Sequence, residues 1–131
     1  GLGELAADLR ALSARLAKQW DVFCDFSAET ADMNVPTRLQ LDAQHLVREA
    51  VANAARHAGA KSVTIRLTAN ADELTLDFIN DGTRYPKSPL TGDLPRSLSE
   101  RVKLAGGALD LTRGMGVTRI SVALPIAGRT S

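Results

Sequence analysis

Cysteine is nearly absent from this chain, and the one that occurs, Cys24, has no second thiol with which to form an internal disulfide. That agrees with a reducing cytoplasm as the working compartment. Aromatic residues make up only 4% of the sequence. Net charge is scarce too, at +1 from 16 basic and 15 acidic residues, so nothing marks the chain for phosphate-rich nucleic acid. No apolar run approaches the roughly 20 residues that span a bilayer, and the N-terminus has no secretory pattern. These absences predict a cytoplasmic domain without nucleic acid as a partner and without membrane contact of its own. A parent protein anchored in a membrane remains compatible with them.

What is present is an ordinary globular composition. The 131 residues are 44% hydrophobic, enough for one domain around one core. The chain opens inside a helical pattern with no initiator Met, and is expected to be a piece of something longer. Leu5, Leu9, Leu12 and Leu16 recur at helical spacing, predicting an amphipathic helix that ends near Gln19. Val22 to Phe26 reads as a short strand, Ser27 to Thr37 as a loop, and Arg38 to Leu41 as a brief second strand. Asp42 offers an N-cap and Gly59 a stop for a second helix.

Two hairpins follow from alternation. Val63, Ile65 and Leu67 alternate with polar residues, Asn70–Ala71–Asp72 supplies a turn, and Leu74, Leu76 and Phe78 alternate in their turn. Leu98 to Ala105 reads as a short helix stopped by Gly106–Gly107. Leu109 and Leu111, then Ile120, Val122 and Leu124, form a closing hairpin about Gly114–Met115–Gly116. Between these units, Asp81 to Pro95 has three prolines, two glycines and no periodicity, which predicts a long surface loop. Adjacent strands exclude a regular βαβ alternation. The expected fold class is α+β, with about three helices layered on one face of a mixed sheet.

Two features bear on chemistry. On the second helix Leu46, Ala50, Val51, Ala54 and Ala58 form the apolar face, and Glu49, Asn53 and His57 run along its edge at i, i+4 and i+8. Such a line is either a solvated stripe with local hydrogen bonds or the polar wall of a pocket. In a pocket, the carboxylate could accept a proton and the amide oxygen could hold Mg²⁺. On the strand ending at Phe78, period two puts Asn80 on the apolar side, followed by Asp81–Gly82. That is either a plain turn or a pocket floor that Gly82 lets a ligand approach closely.

Together these segments resemble the ATP-binding domain shared by histidine kinases, gyrases, Hsp90-type chaperones and mismatch-repair ATPases. Glu49-Ala-Val-Ala-Asn53-Ala-Ala-Arg-His57-Ala resembles the N-box, and Phe78-Ile-Asn80-Asp81-Gly82 resembles the strand-and-glycine motif that holds adenine. Ser99-Glu100-Arg101-Val102-Lys-Leu-Ala-Gly106-Gly107 resembles the signature of sensor kinases related to nitrate and desaturase-control sensors. Thr118-Arg-Ile-Ser-Val-Ala-Leu-Pro125 resembles their last strand.

The resemblance implies the Bergerat-type two-layer α/β sandwich, with residues 1–131 forming one ATP-binding catalytic domain. Residues 1–19 would follow a dimerisation segment carrying the phosphoacceptor histidine, and residues 81–97 would be an ATP lid. Implied cofactors are ATP and Mg²⁺; implied partners are the dimerisation helices and a response regulator. Glu49 would be the general base or orient the accepting group, Asn53 would bind Mg²⁺, and His57 would lie near the phosphates. Asn80, Asp81, Gly82, Gly92 and Thr118 complete the nucleotide-binding set. Asn80 stands where the family has Asp, Val117 stands where it has Gly, and Leu94 and Ser97 replace two lid glycines. Weak ATP binding is therefore expected. Two other functions stay open on the same fold: an interaction module that binds nucleotide weakly, and a serine-directed kinase of the anti-sigma-factor type.

Overall fold

The computed structural model describes residues 1–29, 33–82 and 96–126, apart from the side chains of His57 and Ala58. Its elements run α1 (Leu2–Trp20), β1 (Phe23–Ala28), α2 (Thr37–Asn53), a π-helical turn (Ala54–Ala58), β2 (Ser62–Ala69), β3 (Glu73–Asp81), α3 (Arg96–Leu104), β4 (Ala108–Gly114) and β5 (Val117–Pro125). These five strands form one sheet in the order β1-β2-β3-β5-β4. Among them β1 and β2 pair in parallel, and the other pairs are antiparallel. The expected two-layer sandwich is what the chain forms, with a mixed sheet and three α-helices among the described residues.

Period-two patterning determines which way the sheet faces. Val63, Ile65 and Leu67 on β2, Leu74, Leu76 and Phe78 on β3, and Ile120, Val122 and Leu124 on β5 are all buried. Against them pack Leu5, Leu9, Leu12 and Leu16 of α1, Leu39, Ala43, Leu46, Val47, Ala50 and Val51 of α2, and Leu98 and Val102 of α3. Losing any one of the larger side chains to Ala would cost about 2–5 kcal/mol. The opposite face is polar: Asp77 there accepts hydrogen bonds from Ser121 and, at 3.3 Å, from Arg119. Residue Arg10 of α1 lies over the Phe26 ring, 5.1 Å from its centroid.

Several sequence expectations are corrected. Arg38 to Leu41 is not a strand but part of the first turns of α2, which starts at Thr37, five residues ahead of the expected Asp42 cap. Leu39, Ala43, Leu46 and Ala50 supply the reason: burying Leu39 and Ala43 in the same core stripe favours extending the helix. Asp81 belongs to β3 rather than to a loop, and α3 includes Arg96 and Ser97, two residues ahead of the expected start at Leu98. The remainder of the expected lid, residues 83–95 with Gly92 and Leu94, lies outside the described residues.

Two turns need their glycines. Gly106 has φ +77°, and a Cβ on Gly107 would sit 2.4 Å from the Ala123 carbonyl oxygen, so α3 can enter β4 only without side chains there. At the β4–β5 hairpin, Met115 and Gly116 have φ 55° and 76°, the paired positive values of a two-residue type I′ turn.

Candidate functional site

Asn53 is the last residue of α2, one helical turn after Glu49. Its Nδ2 is sealed from solvent and has no hydrogen-bond partner among the described residues. A buried donor left unpaired costs about 1–3 kcal/mol, so its retention points to a ligand or an ordered water that satisfies the amide. The remaining atom of that amide is an oxygen, a hard donor suited to Mg²⁺.

The sheet supplies two more buried polar groups. Asn80 is 4% exposed and Thr118 is fully buried, and they are opposite each other in the β3–β5 register. Thr118 Oγ1 likewise lacks a partner among the described residues. Asn80 Nδ2 donates to the Asp81 carbonyl at 2.6 Å, which identifies the nitrogen and makes Oδ1 the acceptor of the side chain. The end of the apolar row thus holds a neutral acceptor and a hydroxyl. That chemistry fits an amino-bearing planar base.

Asp81 points elsewhere. Its Oδ1 accepts from the backbone N–H groups of Lys61 and Ser62 at 2.9 and 3.0 Å, fastening the start of β2 to the end of β3. The Ser62 N–H, aided by that of Lys61, holds this carboxyl below the usual aspartate range against an opposing contribution from burial. Gly82, next in the chain, has φ +82° and turns the backbone away from the strand.

Glu49 is partly buried, and its Oε1 accepts a 2.6 Å hydrogen bond from the Ser97 hydroxyl in the first turn of α3. In the sequence Ser97 stands out only as a missing glycine. A contact between residues 48 positions apart leaves no local signal, although a hydroxyl at the start of a helix is a common hydrogen-bonding group there.

The expected straight line of Glu49, Asn53 and His57 is interrupted. From Ala54 to Ala58 the helix widens to π geometry, closing with Gly59 N–H and Ala60 N–H both donating to the Ala54 carbonyl, before Gly59 ends it at φ 67°. His57 therefore does not follow Asn53 by an α-helical i+4 step. Its side chain lies outside the described residues. Among the described residues no three His, Cys, Asp or Glu side chains converge on a metal position. A divalent ion at Asn53 would draw its other ligands from phosphate oxygens and water, as Mg²⁺ commonly does. Nor is any described helix long and apolar enough to cross a membrane.

The fold, a mixed sheet with helices packed on its apolar face, is the one that a family of ATPases adopts. Residues 39–127, more than half of the chain, match the family described as histidine kinase-, DNA gyrase B- and HSP90-like ATPase, and the chain belongs to that family. Among solved structures it is similar to the blue-light activated histidine kinase of Erythrobacter litoralis EL346, at 22% identity and a TM-score of 0.74, covering 93% of this chain and 42% of that one. The ATP-binding domain of PrrB from Mycobacterium tuberculosis matches at 19% identity and TM-score 0.68, over 90% of both chains. Histidine kinase ThkA, in a complex with the response regulator protein TrrA, matches at 17% identity and TM-score 0.70, over all of this chain and 42% of that one. The chain thus spans less than half the length of the first and third of these relatives.

Proposed function

We propose that this chain is the ATP-binding catalytic domain of a bacterial sensor histidine kinase, which transfers a phosphoryl group to a histidine on a separate dimerisation segment. The observation that carries the reading is a set of polar side chains from three elements, half-buried Asn53 with buried Asn80 and Thr118, two of them with sealed atoms that lack a partner among the described residues. Mg·ATP, when bound, supplies the γ-phosphoryl group and the divalent charge that offsets its oxygens. Asn53 would hold the ion through its amide oxygen. Asn80 Oδ1 would accept from the amino group of the base, with Thr118 beside it, and Gly82 would let the backbone pass close by. Glu49 would accept a proton from, or orient, the receiving imidazole. His57 and Gly92 are proposed to lie near the phosphates.

The Ser99-to-Gly107 segment supports placing the parent among kinases related to nitrate and desaturase-control sensors. Because ThkA is found with a response regulator, such a protein is the proposed downstream partner here. Leu94 and Ser97 in place of lid glycines favour weak nucleotide affinity, and so keep a second reading in view: a regulatory module of the same fold that acts by contact. Calorimetry separates the two. Mg·ATP should bind the unmutated protein, and Asn53→Ala should abolish the metal-dependent part of that binding while leaving the thermal midpoint close to unchanged. Equal Mg·ATP affinities in the two proteins would refute the assignment of Asn53.

A further inference from the structure

The bond between Ser97 and Glu49 joins two helices across the candidate site. Glu49 sits one turn before the end of α2, and Ser97 is the second residue of α3. A glutamate side chain has three torsions to settle, and at a partly buried position little else restricts them. The exposed Ser97 hydroxyl donates at 2.6 Å to a carboxylate oxygen, a short, charge-assisted bond that water screens in part. It engages Oε1, so Oε2 is the oxygen assigned to the receiving group.

We infer that Ser97 is a positioning residue: it fixes the Glu49 carboxylate so that one defined oxygen addresses the group that receives the phosphoryl. A glycine at position 97 would have no atom for this task, so the serine adds a contact as well as removing backbone freedom. The inference rests on Glu49 acting in the proposed phosphoryl transfer, where most of the catalytic effect comes from placement. Ser97 donates to Glu49 and is assigned no contact with the nucleotide. Its loss should therefore slow turnover without weakening ATP.

The test uses the parent kinase with its own phosphoacceptor segment, following incorporation of labelled phosphate over a range of Mg·ATP concentrations. Ser97→Ala should lower kcat by about tenfold, with KM for ATP changed less than about twofold. Ser97→Thr, which keeps the hydroxyl, should stay near the unmutated rate. In a Glu49→Gln background, adding Ser97→Ala should cost little, because the group being positioned has already lost its charge. Three results would each overturn the inference: an unchanged kcat in Ser97→Ala, a Ser97→Thr variant as slow as Ser97→Ala, or an undiminished loss in the Glu49→Gln background. If the unmutated kinase neither binds Mg·ATP nor incorporates phosphate, the functional reading itself fails and takes this one with it.

Discussion

Asn80 and Thr118 face each other across the β3–β5 ladder, one 4% exposed and the other fully buried, and the hydroxyl between these strands has no partner among the described residues. A methyl in place of that hydroxyl would fill the same space without the desolvation cost. Thr118→Val should therefore stabilise the ligand-free protein, by about 1 kcal/mol, since it removes a buried unpaired group without changing shape. The same variant should bind Mg·ATP more weakly, by about tenfold, the effect of losing about one hydrogen bond. Urea unfolding and calorimetry on the same samples check both halves; a variant that is less stable and binds equally well would refute the ligand role.

Acid should probe Asp81. Its carboxyl titrates below the ordinary aspartate value of about 3.9 because the Ser62 and Lys61 N–H groups bond the charged form. A group with a depressed folded value contributes stability that is complete above the unfolded value and is lost as pH falls through the folded one. Stability of the unmutated protein should thus drop on acidification below about pH 4. Asp81→Asn should be less stable near neutral pH and show a shallower acid decline. Urea midpoints measured across that acid range test this, and parallel curves would contradict it.

At the α3–β4 junction, Gly107→Ala should be costly. The new Cβ would meet the Ala123 carbonyl oxygen at 2.4 Å and Leu124 Cδ2 at 2.8 Å, and a backbone atom cannot move aside cheaply. A loss of about 1–3 kcal/mol is expected from overpacking alone. An unchanged thermal midpoint would show that the two strands are not held so closely.

The hairpin tip predicts the reverse sign. Met115 is 98% exposed and holds φ 55°, a conformation that disfavours a Cβ. Met115→Gly should therefore stabilise the protein by about 0.5–1 kcal/mol, the relief of strain exceeding the entropy of a freer unfolded chain. Met115→Asn, which tolerates the same backbone with less freedom, should be the more stable of the two. Chemical denaturation of the three proteins ranks them, and a parent more stable than both variants would contradict the strain.

The strands and their facing were legible because burial on one side of a sheet imposes strict alternation, as along Leu74, Leu76, Phe78 and Asn80. The start of α2 was not. Pro36 precedes it without a side-chain cap, while Asp42 looks like a better cap and is only an interior residue. Leu39 and Leu41 also alternate, and over four residues a strand and a helix turn read alike. Burial of Asn80 followed from period two, and the grouping of Glu49 with Asn53 from period 3.6. The Ser97 bond to Glu49 and the tie of Asp81 to β2 arise only when distant segments meet, so no local pattern announces them.

The widened turn at Ala54–Ala58 bears on any attempt to transplant this motif. A designer copying the Glu-Asn-His spacing onto an ideal helix would line up three groups that this chain spreads over two different pitches. The portable unit is longer: the end of α2, the loosened turn and the left-handed Gly59 that closes it. Straightening that turn would rotate everything beyond Asn53 about the helix axis while leaving every residue of the motif in place. A graft could thus match the motif letter for letter and still carry the wrong backbone pitch after Asn53.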